Sequence, residues 1–160
     1  MNMVMKVRTF LKLDIKTKFL FIEAFIYLGI ARYLKSIPFS KVAPTLGEEN
    51  KETSFTLNSS QKEDIARISQ AIRVMSRYTF WESQCLVKAI AGMKMLEKRN
   101  IESTLYLGTS KDENGDFIAH AWLRSGPYYI SGAEVMERFT VVAKFAKVLR
   151  TNELQSKDYV

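Results

Sequence analysis

The chain holds a single cysteine and a single histidine among 160 residues, and each scarcity excludes something. One thiol cannot close an internal disulfide, so the sequence carries no secreted-type disulfide framework, and a reducing cytoplasm is the expected setting. One Cys and one His also fall short of the four N or S ligands of a usual structural zinc site. The acidic residues form no recognisable calcium or magnesium loop, and no cofactor is expected. Long apolar runs are missing too. Residues 19–31, FLFIEAFIYLGIA, make a run of 13 interrupted by Glu23, against the roughly 20 that a spanning helix needs. Lys12, Lys16 and Lys18 precede it, Arg32 and Lys35 follow, and no small-residue cleavage site comes after it. It reads as an amphipathic or buried helix, with no transmembrane segment and with peripheral membrane contact as the lesser reading.

What is abundant is positive charge. The formal net charge is +7 and the pI about 9.5, which biases the chain toward acidic partners such as a peptide or protein. Lys and Arg are spread along the sequence without a helix-turn-helix, zinc-finger or RNA-binding strand motif, so no nucleic acid partner is expected.

Periodicity predicts an α+β fold. Residues 11–35 carry apolar side chains at helical spacing, read as helix in two pieces and stopped by Pro38; 39–47 add a short turn or helix. Four segments follow: a hydrophobic helical region over 1–46, a polar linker over 47–60 where disorder is expected, a core over 61–150, and a frayed tail over 151–160. Within the core, Ser60 and Glu63 suggest a capping box for a helix to about Arg77. The next helix, to about Lys98, is apolar around much of its circumference and so central. Two strands around Leu105 and over 117–124 flank a KDENG turn, and Ser125-Gly126 leads into the strand YYIS. Val135, Phe139, Val142, Phe145 and Leu149 then return to helical spacing. The expected order is helices, a short antiparallel sheet packed on the Cys-bearing helix, and a C-terminal helix.

The unique Cys85 and His120 carry the chemistry. A thiol on a helix and an imidazole on a strand can meet after folding as nucleophile and base. Reactivity depends on the helix start: Thr79 with Glu82 would place Cys85 in the second turn, whereas Ser83 as N-cap would place it at the second helical position, where free N–H groups and the helix dipole favour a thiolate. The plainer readings are a small buried hydrophobe for Cys85 and a satisfied core histidine for His120. Ser131 and Glu134 are candidates to orient the imidazole. Gln84, or the backbone N–H of Cys85, is a candidate oxyanion donor. Trp81 and Trp122 would wall a peptide cleft, or simply pack in the core.

WESQCL, the following helix and strand MKMLEKRNIESTLYLG, and AHAWLRSGPYYISG together resemble the lasso-peptide biosynthesis leader peptidases, of the transglutaminase-like, papain-related cysteine protease group. The resemblance implies a transglutaminase-like or papain-like core, with Cys85 as nucleophile and His120 as base. It implies cleavage of the leader from a ribosomally made precursor peptide, so that an ATP-dependent lasso cyclase can act on the new N-terminus. The chain is similar to the stand-alone form, whose partners would be the precursor, a separate leader-recognition protein and the cyclase. Where relatives place an aspartate after the histidine strand, this sequence has Ile130, Ser131, Gly132, Ala133 and Glu134. A dyad with Ser131, a backbone carbonyl or Glu134 as orienter is therefore expected.

Overall fold

The computed structural model describes residues 12–149; the expected frayed tail lies outside them. Helix α1 spans Ile15–Ser36, and the non-helical Leu13 and Asp14 separate it from the helical Lys12, so a break does fall within the expected two-piece helix, near its start. Its start is fixed by Asp14, whose carboxylate accepts from the Thr17 backbone N–H at 3.0 Å and the Thr17 hydroxyl at 2.6 Å, satisfying an otherwise unpaired donor of the first turn. It ends before Pro38, as that ring requires. Leu20, Phe21, Ala24, Leu28 and Ala31 form its buried face; a fully buried leucine such as Leu28 contributes about 1.5–3 kcal/mol.

Helix α2 (Phe39–Leu46) leads into the two-residue strand β1 (Glu48–Glu49). The polar stretch after it, where composition suggested disorder, is packed onto the sheet. Asn50 donates its N–H to the Lys144 carbonyl at 2.8 Å, and Thr53 is buried, its N–H and hydroxyl each 2.9 Å from the Thr104 hydroxyl. The fully buried Arg124 holds this strap. It donates to the carbonyls of Thr53 (2.9 Å), Ser54 (3.2 Å) and Gly126 (2.7 Å) and to the Tyr106 hydroxyl (3.0 Å), with the Phe55 ring 3.7 Å from its guanidinium carbon.

Helix α3 (Lys62–Met75) follows a 3-10 turn over Ser59–Gln61. The Ser60–Glu63 capping box does not form; the Asn58 side chain caps the 3-10 turn by accepting from Ser60 N–H, and Gln61 precedes α3 without a side-chain cap. Helix α4 (Cys85–Glu97) is the central helix that its apolar circumference predicts, with eight of its residues buried. It lies close against the sheet at Gly92, where a Cβ would meet a Leu123 methyl at 2.9 Å.

Strands β2 (Ser103–Lys111), β3 (Phe117–Ser125), β4 (Tyr128–Ser131) and β5 (Thr140–Lys147) complete an antiparallel five-stranded sheet ordered β1-β5-β2-β3-β4. The expected C-terminal helix is thus wrong: residues 133–138 form a 3-10 segment and 140–147 an inner strand. Strand β2 needs a partner on the edge away from β3, and the β-branched run Thr140-Val141-Val142 suits that pleated position better than a helix. Leu105, Ala121, Leu123 and Phe145 share one core with α1, α3 and α4, while Tyr106, Trp122 and Arg124, at alternating positions, serve the opposite face under the strap. Among the described residues no helix is long and apolar enough to cross a membrane.

Candidate active site

Cys85 is the first residue of α4, after Gln84 as N-cap, and is half-buried. Neither expected cap is correct. The Thr79 and Ser83 hydroxyls bond each other at 2.8 Å, and the Glu82 carboxylate binds the Lys35 ammonium at 2.6 and 2.9 Å. The Gln84 side chain makes no cap hydrogen bond. The first turn of α4 therefore presents backbone N–H groups with no side chain satisfying them and no acidic residue, an arrangement that favours negative charge at or beside the thiol.

The segment leading to Cys85 is fixed to α1. Trp81 packs on Phe25 (ring centroids 4.9 Å) and Phe80 (4.5 Å), and the α1 backbone comes close enough that a Cβ on Gly29 would lie 3.4 Å from the Trp81 ring. The Lys35–Glu82 pair ties the same segment at a second point; hydrogen bonding from Lys35, opposed by slight burial and aided by the Lys35 and Arg32 charges, holds the Glu82 carboxyl below its ordinary value. Trp81 is thus a packing residue at the helix entrance.

His120 lies on β3 opposite Gly108. Its Nε2 is 2.7 Å from the Gly132 carbonyl oxygen. A carbonyl can only accept, so Nε2 carries the proton, and in the neutral ring Nδ1 keeps the lone pair and is the basic atom. The ring lies 5.0 Å from Phe139 and 6.0 Å from Trp122, centroid to centroid. Trp122 in turn stacks on Tyr106 at 5.5 Å with an interplanar angle of 8°.

Two glycines missed in the sequence make this arrangement fit. A Cβ on Gly108 would fall 2.9 Å from both the Trp122 ring and Phe139 Cβ, so its absence admits the aromatic neighbours of His120. Gly132 has φ 79°, a left-handed conformation, and a Cβ there would lie 2.3 Å from the Ala121 carbonyl oxygen. Only glycine meets both demands. A glycine inside a strand pattern and another just after one were the available signals.

Of the proposed orienters, the one bonded to the ring is the Gly132 carbonyl. The Ser131 hydroxyl is buried without a hydrogen-bond partner, and Glu134 is exposed. Both line a cleft of about 420 Å³ together with Ser83 and Lys88, which flank Cys85, and Gly132, which holds His120. Cys85 and His120 themselves, like Trp81 and Trp122, are not among its lining residues. The structure brings His120 to Gly132, Trp122 and Phe139, and packs Cys85 against the helix-side core. Among the described residues no hydrogen bond joins the Cys85 thiol to the His120 ring.

The transglutaminase-like superfamily model matches residues 24–144. No curated protein and no solved structure matches the chain. The family match covers most of the sequence, from the middle of α1 into β5, and takes in Cys85, His120 and the cleft between their neighbours: the chain belongs to the transglutaminase-like superfamily.

Proposed function

We propose that this chain is a cysteine peptidase that removes the leader from a ribosomally made lasso-peptide precursor, with Cys85 as nucleophile and His120 as base. The observation that carries the reading is the pairing of a thiol at an uncapped helix start whose first turn has no acid with an imidazole whose Nε2 is held 2.7 Å from the Gly132 carbonyl oxygen. The pathway assignment rests on the resemblance of WESQCL and AHAWLRSGPYYISG to the leader peptidases.

In the proposed reaction Nδ1 of His120 takes the thiol proton as the thiolate attacks the scissile carbonyl. The resulting oxyanion lies near the unsatisfied N–H groups opening α4, with the Gln84 amide as a second donor. The imidazolium returns its proton to the leaving amine as the C–N bond breaks, giving a thioester; water activated by Nδ1 then releases the leader carboxylate and the free thiol. Gly132 keeps Nε2 protonated throughout and stands where an aspartate would in a triad. The thiol must approach the ring as substrate fills the cleft, since apo sites often hold such pairs loosely.

Incubating the chain with the precursor and the separate leader-recognition protein should release the leader, and Cys85→Ala should abolish release while leaving the melting temperature unchanged. Intact precursor under conditions where all three components bind would sink the proposal. A purely scaffolding protein would bind equally well after Cys85→Ala and would yield no thioester on acid quench.

A further inference from the structure

We propose that the cleft beside Cys85 is an anion subsite, in which Arg73, Arg77 and Lys88 receive a side-chain carboxylate of the peptide substrate. The inference deepens the peptidase reading and rests on it for the identity of the substrate.

The cleft holds three cations and one carboxylate, Glu134. Among the described residues none of these four makes an ion pair or a side-chain hydrogen bond. Elsewhere several carboxylates do take cations as partners: Glu23 with Lys98 and Arg99, Glu52 with Lys144, Glu82 with Lys35, Glu97 with Lys147. What sets these apart is their grouping: three cations line one concavity and the single carboxylate beside them pairs with none, a local excess of positive charge that favours a bound anion.

Their placement sharpens this. Arg73 lies in the last turn of α3 and Arg77 one turn on, where the carbonyl-rich helix end lessens the cost of gathering two guanidinium groups. Lys88 has no such compensation. It is the fourth residue of α4, near the positive end of that helix, whose first turn contains no acid. A cation there is electrostatically unfavourable until an anion arrives.

A second, independent observation lies in the same wall. The Ser131 hydroxyl is buried with no hydrogen-bond partner, an omission that a native fold rarely tolerates without a reason. Rotation about its side-chain bond would let it donate to a carboxylate held by the arginines. The cleft volume of about 420 Å³ suits a short peptide stretch. With one aromatic residue, Tyr129, in the lining, it lacks the successive stacking rings that single-stranded nucleic acid binding uses. Because Ser83 and Lys88 flank Cys85, the acidic residue would sit close in sequence to the cleaved bond.

Binding can be read without catalysis. Full-length Cys85→Ala protein, labelled with ¹⁵N, is titrated with a blocked tetraglutamate peptide and with the matching tetraglutamine. Tetraglutamate should shift amides within 69–77, 83–88 and 129–134, and tetraglutamine should not. Arg73→Gln with Arg77→Gln should weaken the binding by about tenfold or more, the weight of a lost charge-assisted contact; both side chains are exposed, so an unchanged melting temperature confirms the fold. Equal shifts with both peptides, or none with tetraglutamate, overturn the proposal, as does an oligonucleotide that outcompetes tetraglutamate at the same residues. Failure here leaves leader release by the wild-type chain untouched, and failure of leader release leaves these shifts untouched.

Discussion

The Nε2 proton of His120 is held by the carbonyl of Gly132 at 2.7 Å, and that carbonyl stands where it does because residue 132 has no side chain. Gly132→Ala should cost about 1–3 kcal/mol through its left-handed backbone alone, with a further penalty from the clash at the Ala121 carbonyl. Thermal unfolding measures the first effect. The second readout is the alkylation rate of Cys85 by iodoacetamide across pH, interpretable because there is no other thiol. If His120 activates Cys85, the variant's reactive fraction near neutral pH should fall; an unchanged profile would separate the imidazole from the thiol.

Arg124 should be irreplaceable by lysine. Its buried guanidinium makes four hydrogen bonds in a planar fan to Tyr106, Thr53, Ser54 and Gly126, a pattern that an ammonium on a flexible stem cannot copy. Arg124→Lys is expected to lose about 2–4 kcal/mol in urea unfolding, since acceptors are left unpaired and a charge stays buried. A loss below about 0.5 kcal/mol, the level of an ordinary surface change, would contradict this account of the strap.

Acid should weaken the attachment of α1 through Glu23. Burial raises its carboxyl, but hydrogen bonds from Arg99 and Lys98, and then their charges, outweigh burial and hold it below its ordinary value. The Arg99 contacts are 3.0 and 2.6 Å, the Lys98 contact 3.1 Å. A carboxyl depressed in the folded state contributes stability that is fully present above its unfolded value, about 4.3, and is lost as pH falls through the lower folded value. Glu23→Gln should therefore be less stable at neutral pH, by about 1–3 kcal/mol, and its urea midpoint should converge with that of the native chain toward pH 3. Parallel curves over that range would exclude Glu23 as the titrating group.

Gly92→Ala pits two effects against each other. Alanine gains about 1 kcal/mol in helix propensity, while its Cβ would meet Leu123 at 2.9 Å and Ile130 at 3.3 Å. Overpacking in a closed core typically costs about 1–3 kcal/mol, and both neighbours are buried, so the net change in melting temperature should be downward. A rise would mean that the sheet yields easily beneath α4.

The sequence made β2, β3 and β4 legible because their alternation is local and their turns carry Gly, Asn and Asp. It made α4 legible as central because a helix apolar on nearly all sides has no solvent face. It misled at residues 134–149, where Val135, Phe139, Val142 and Phe145 satisfy a helical period; what decides their fate is the open edge of β2, which no local pattern reveals. Cys85 and His120 stood out by uniqueness. The helix cap was misread because Ser83 and Glu82 have other partners, Thr79 and Lys35, and the role of Gly132 was hidden because a carbonyl belongs to every residue and only its placement distinguishes it. Nothing in the sequence marked Arg124 for burial. Nothing in a linear pattern shows that a distant polar stretch, 50–57, arrives to cover it.

The order of the sheet also sets a timetable for synthesis. Strand β5 lies between β1 and β2, and β1 has β5 as its strand partner. As the chain leaves the ribosome, α1, α3, α4 and the β2–β4 meander can associate early, yet β1 must wait with its hydrogen-bonding groups exposed until residue 147 has cleared the exit tunnel. From the completion of β2 at residue 111 until β5 follows at 140–147, the open edge of β2 is free to pair with another nascent chain. A polysome crowded with such intermediates is where aggregation of this protein should begin, and a pair of charged residues, Glu48 and Glu49, on the waiting strand is well suited to discourage it.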